Sequence, residues 1–109
     1  MHYRLLIQQA MPLLLSSFRS SGSGIDLAVC DMCVEPLAIY SLITGMADAI
    51  KPAAPLVLTL KFQKRLSEAA IQVQWQHIRK ALEVHFRDIS LVWLFANTQS
   101  ERTVLAYKK

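Results

Sequence analysis

The chain has 109 residues, 53% apolar and 18% charged, which excludes a disordered polymer and leaves room for a single domain. A net charge of +4 permits an anionic partner without requiring one. Two cysteines argue against a disulfide-stapled secreted scaffold, and no apolar run reaches the ~18 residues that a membrane-spanning helix needs.

Residues 1–23 read as an N-terminal helix and a linker. The helix is expected from about Tyr3 to Phe18, kinked or divided by Pro12. Ser20-Ser-Gly-Ser-Gly24 is the flexible connection that follows. With Arg4, Arg19, five serines and no carboxylate before Asp26, this stretch also has the composition of a mitochondrial transit peptide. A cytoplasmic or nuclear location is the preferred reading.

Ile25-Asp-Leu-Ala-Val-Cys30 reads as an apolar strand, ended by Asp31. Cys30 and Cys33 have C-x-x-C spacing, yet His2, His77 and His85 stand at no metal-site spacing from them. Cys30 is therefore read as core and Cys33 as loop. A helix is expected from about Pro36 to Ile50, because proline suits a first turn and Ile39, Leu42, Ile43 and Met46 share one face.

Pro55-Leu-Val-Leu-Thr-Leu60 is the second strand. Its lack of alternation predicts burial on both faces, as in a central parallel strand. Lys61 then stands at the carboxyl edge of the sheet, where open α/β folds place ligands. The plain alternative is a lysine marking the strand's exit into solvent.

Ser67 is a candidate N-cap, with Glu68 in the first turn of the next helix. Ile71, Trp75, Ile78 and Leu82 form its apolar stripe, so Trp75 is read as core rather than as a base-stacking platform. Lys64, Arg65, Arg79, Lys80 and Arg87 make a loosely basic, solvated set. Ile89 to Phe95 is the third strand and Arg102 to Tyr107 the fourth, opened by Glu101. Their short connection predicts an antiparallel hairpin. The expected fold is α/β, in the order β-α-β-α-β-β after the N-terminal helix.

Three segments resemble one family. Gly24-Ile-Asp-Leu-Ala-Val-Cys-Asp-Met32 looks like the fourth-strand motif of FtsJ-type (RrmJ-like) ribose 2'-O-methyltransferases. Lys51-Pro-Ala-Ala-Pro-Leu-Val-Leu-Thr-Leu-Lys-Phe62 is similar to their Lys-Pro-Gly-Gly turn, strand and lysine. Ser100-Glu-Arg-Thr-Val-Leu105 is similar to their closing strand. The resemblance covers residues 24–109, roughly four fifths of the chain. It implies the last four strands of a Rossmann-like methyltransferase sheet, lying side by side. It also implies S-adenosylmethionine as cofactor and RNA, ribosomal or transfer, as partner. Asp31, Lys61 and Glu101 fall on the last three members of the family's Lys-Asp-Lys-Glu tetrad, and Asp31 would also lie near the methionine end of the cofactor.

The departures define what is missing. Gly22, Gly24 and Gly45 do not form the family's glycine-rich cofactor loop. The first lysine of the tetrad and the acidic residue for the cofactor ribose have no counterpart. Ala53-Ala54 stands where the family has a glycine pair. The chain therefore resembles the C-terminal half of the domain, as a fragment, a truncated product or a degenerate descendant, and is expected to be inactive alone. Its first strand would present an unpaired outer edge, so self-association or a partner chain is expected there.

In that family context Lys61 could act as a neutral base or as a cation. A model lysine has a pKa of ~10.4, and two nearby carboxylates favour the ammonium. The expectation is thus a charged Lys61 that stabilises the developing ribose alkoxide, oriented by Asp31 and Glu101. Two other readings stand beside it. One is a non-catalytic, methyltransferase-like interaction module; the other is a different Rossmann-like methyltransferase in which Lys61 is incidental.

Overall fold

The computed structural model describes residues 7–31, 36–94 and 97–109. The elements are α1 (Ile7–Ser21), β1 (Ala28–Cys30), α2 (Pro36–Met46), a 3-10 turn (Ala47–Ala49), β2 (Pro55–Lys61), α3 (Glu68–Leu82), β3 (Phe86–Val92) and β4 (Glu101–Lys108). They make an α/β fold with one four-stranded mixed sheet in the order β1-β2-β4-β3. β1 and β2 are parallel, as expected for strands joined through a helix. β4 leaves its hairpin with β3 and pairs antiparallel to β2 as well, from Pro55↔Tyr107 to Lys61↔Glu101.

The core lies on one face of this sheet. Leu56, Leu58 and Leu60 of β2, Val104 and Ala106 of β4 and Phe86 of β3 meet Ile43 of α2 and the α3 stripe Ile71, Trp75, Ile78, Leu82. That stripe is the one the helical spacing predicts, and all four residues are buried. The Ser67 hydroxyl caps α3 by accepting from the Ala70 N–H at 3.1 Å, a contact worth about 1 kcal/mol. α1 packs against the outside of α2. Their approach is close at Gly45, where an added Cβ would stand 3.3 Å from the Met11 sulfur.

Several expectations are corrected. β2 is not buried on both faces; it alternates, with Leu56, Leu58 and Leu60 inside and Val57, Thr59 and Lys61 half-buried. The reason is that α2 and α3 cover the same face. The other face carries Val29, Leu105 and Tyr107 at 64%, 37% and 43% exposure. The first strand is shorter than predicted. Ile25 makes only an isolated parallel bridge with Ile50, and Asp26 turns out to meet Lys51 at 2.7 Å.

α1 runs through Pro12 without dividing and continues to Ser21, so helix replaces the start of the predicted linker. α2 ends at Met46 and tightens into the 3-10 turn. The third strand begins three residues earlier than predicted, at Phe86, and its register shifts between Arg87 and Ser90, where Asp88 has φ 52°. Trp93 and Leu94 lie beyond it and are exposed. The predicted helix start at Tyr3, the Cys33 half of the C-x-x-C spacing and the strand end at Phe95 lie outside the described residues, as does the side chain of Ile39.

Candidate functional site

Side-chain alternation decides which residues meet at the carboxyl end of β2. Leu60 points into the core, so Lys61 stands on the opposite face, and its directly paired residue on β4 is Glu101. Asp31 follows Cys30, which pairs with Leu58 in the parallel register. It therefore emerges beyond the end of β1, at the same edge of the sheet.

The three predicted residues come together. Lys61 Nζ lies 3.5 Å from Glu101 Oε2 and 3.7 Å from Asp31 Oδ1. Both separations are those of ion pairs rather than of short hydrogen bonds. Burial ranks the partners, since the side chains are 28% exposed for Lys61, 15% for Glu101 and 68% for Asp31. Glu101 is the anchoring carboxylate, because a partner as solvated as Asp31 is largely screened.

Glu101 is itself held from its other side. Its Oε1 accepts from the Thr98 N–H at 2.9 Å. Hydrogen bonding by Thr98, through side chain and then backbone, holds the Glu101 carboxyl below its usual range. Burial pushes the other way, and the Lys61 ammonium adds to the lowering. One residue further, the Phe62 N–H donates to the Ser100 carbonyl at 2.8 Å, stapling the end of β2 to the start of β4.

Arg102, next to Glu101, is a supporting residue that the sequence reading passed over. It pairs with Leu60, so alternation turns it toward the helices. Its guanidinium donates to Glu68 Oε2 at 2.7 Å and to the carbonyls of Gln99 and Glu101 at 2.8 Å. It also lies 4.4 Å from the centroid of the Trp93 ring. The available signal was a cation one residue from an outward carboxylate in a strand, which places it on the helix side, where Glu68 opens α3. Glu68 is held below its usual range first by a hydrogen bond from Gln72 and then by Arg102.

The arrangement is an ammonium aimed along a sheet edge by two carboxylates, one fixed and one solvated. Such a group can bind and orient an oxyanion or stabilise one that forms. Among the described residues, no cluster of three or more His, Cys, Asp or Glu could hold a metal ion, and no helix is long and apolar enough to cross a membrane. Compared with known protein families and with curated proteins, the chain matches none.

Proposed function

We propose that the chain is the catalytic half of an S-adenosylmethionine-dependent RNA ribose 2'-O-methyltransferase of the FtsJ-like kind. The observation that carries this reading is Lys61, paired in register with Glu101 and flanked by Asp31 at the carboxyl end of the parallel strands. The strand and helix order supports it, since a parallel pair joined by a helix is followed by a helix and an antiparallel hairpin, all in one sheet. In this role Lys61 stays charged and stabilises the alkoxide that develops on the ribose oxygen, a contribution of ~3 kcal/mol by analogy with oxyanion donors. Glu101 and Asp31 hold the ammonium in line. The cofactor would supply the methyl group, its sulfur–methyl bond breaking as the oxygen–methyl bond forms and the hydroxyl proton passing to solvent water, and Asp31 would lie at its methionine end.

On the same reading, the outer edge of β1 is where the cofactor-holding strands of a complete domain pair, and the face carrying Val29, Leu105 and Tyr107 stands open beside it. A chain purified alone then associates with itself through these surfaces. Sedimentation that finds a compact, cooperatively unfolding monomer removes that part of the reading.

The test uses the gene in its own cell, where on this reading the cofactor-holding half is supplied by the same gene product or by a partner chain. A map of RNA 2'-O-methylation is compared between wild type and a Lys61→Ala strain with matched protein level. The expected result is loss of methylation at one or a few nucleotides in Lys61→Ala, with little return in Lys61→Arg, because a planar guanidinium does not reproduce an ammonium. An unchanged map overturns the reading and favours the second one, a non-catalytic interaction module. That reading draws its support from the absence of a glycine-rich loop among Gly22, Gly24 and Gly45.

A further inference from the structure

A groove of about 580 Å³ lies between the β2–α3 connection and the β3–β4 connection. It begins just past Lys61 and Glu101, because the Phe62–Ser100 hydrogen bond joins the two segments that form its walls. Its volume is in the range of pockets that hold small ligands. Its chemistry has three parts. Half-buried Leu66, backed by the core residue Ile71, gives an apolar surface, Gln63 and Gln99 give side-chain amides, and Lys64 and Arg65 give two cations.

The two cations stand side by side on one wall of the groove. Both side chains are exposed, and neither enters a salt bridge among the described residues. Arg65 also adopts φ 68°, a left-handed conformation that a glycine would take at lower cost. On α3, Arg79 is paired with Glu83, whereas Lys80 is exposed and in no salt bridge among the described residues.

An apolar surface beside amides and cations matches one nucleotide of a single strand. The base face lies on aliphatic groups, amides meet the polar edge of the base, and cations meet the phosphate. We infer that the groove holds a nucleotide flanking the one presented to Lys61. Its phosphate sits on Lys64 and Arg65, and its base lies against Leu66 between Gln63 and Gln99. The inference rests on the proposed RNA methyltransferase reading, since that reading brings an RNA strand to this edge. It adds the place and polarity of the contact: single-stranded RNA leaves the reacting centre toward the α3 start.

The test measures binding of a fluorescein-labelled single-stranded RNA to the full chain by anisotropy, over a series of salt concentrations. The paired variant Lys64→Ala/Arg65→Ala is expected to weaken binding about tenfold and to reduce the salt slope by ~0.7, the value for one phosphate on a single strand. Arg65→Gly removes the charge while relieving the backbone, and an unchanged urea midpoint in this variant separates a loss of affinity from a loss of fold. Arg79→Ala/Lys80→Ala, on the exposed side of α3, is expected to bind as wild type. Inorganic phosphate alone is expected to compete only weakly, because it lacks the base.

Undiminished binding in Lys64→Ala/Arg65→Ala and in Arg65→Gly overturns the inference. So does an equal loss in Arg79→Ala/Lys80→Ala, which would mean diffuse charge attraction, and so does full competition by phosphate. The two readings fail separately. Loss of binding in the groove variants with an unchanged methylation map in Lys61→Ala removes the methyltransferase and keeps the groove. The reverse pair of results removes the groove and keeps the methyltransferase.

Discussion

Lys61 and Glu101 are direct cross-strand partners, the last residues joined by β2 and β4, with Nζ and Oε2 3.5 Å apart. The pairing exists because β4 inserts between β2 and β3 rather than adding outside β3. Had the hairpin lain the other way round, Lys61 would have faced β3 and Glu101 the edge of the sheet. The position of Glu101 thus depends on strand order, while hydrogen bonding by Thr98 is the largest cause that holds its carboxyl below the usual range.

The isolated chain is expected to bind S-adenosylmethionine very weakly or not at all. The family's glycine loop lets backbone approach the cofactor, and the glycines of this chain stand elsewhere, at Gly22, Gly24 and Gly45. Calorimetric titration reads this directly. A micromolar dissociation constant would reveal a cofactor site of another design.

Ala53→Gly should stabilise the fold. Ala53 adopts φ 69° in the turn before β2, with its N–H bonded to the Lys108 carbonyl at 2.8 Å and its side chain exposed. An L-residue in that region costs about 1–2 kcal/mol, and the extra freedom that glycine gives the unfolded chain takes back about 0.4–1 kcal/mol. A rise of the urea midpoint at constant slope is expected. A fall would show that the turn does not need the left-handed conformation.

Arg102→Met should destabilise the protein by about 2 kcal/mol, through lost hydrogen bonds to the Gln99 and Glu101 carbonyls and lost contact with Trp93. Glu68 is largely solvated, so removing its partner leaves no buried charge behind. Denaturant unfolding measures the loss, and Trp93 emission should shift with it. Unaltered stability would mean that the guanidinium is held by packing that methionine reproduces.

Stability should fall in acid. Glu68 and Glu101 both have carboxyl groups held below the ordinary value of 4.5 in the folded state. The folded protein then binds fewer protons than the unfolded chain, so this contribution is fully present above pH 4.5 and is lost as pH drops through the lowered values. Unfolding midpoints compared at about pH 7 and about pH 3 should differ, and Glu101→Gln should lessen the difference. Equal midpoints would show that neither carboxylate is held more favourably in the folded state.

Local signals in the sequence were enough for the elements that local chemistry controls. Ser67 announced the start of α3, and the Ile71, Trp75, Ile78, Leu82 spacing announced its buried stripe. The ends of three strands located Asp31, Lys61 and Glu101, because a charged residue closing or opening an apolar run rarely enters the core unless it is paired there, as Arg102 is with Glu68. The same logic erred where apolar character and burial part company. Trp93 and Leu94 read as strand but lie exposed beyond β3, and Val57 read as core but lies on the open face.

The β1–β2 and β3–β4 pairs were legible, but the chain alone could not decide that β4 also pairs with β2. Strand order, the side of the sheet on which α2 and α3 settle, and the Arg102 contacts with Glu68 and Trp93 all join residues far apart in sequence. Such contacts form only when several elements close together, since each one alone would not offset the entropy of ordering the chain. Composition and periodicity therefore specify which face of an element is apolar, whereas the tertiary fold decides which apolar faces are covered and which charged ends become neighbours.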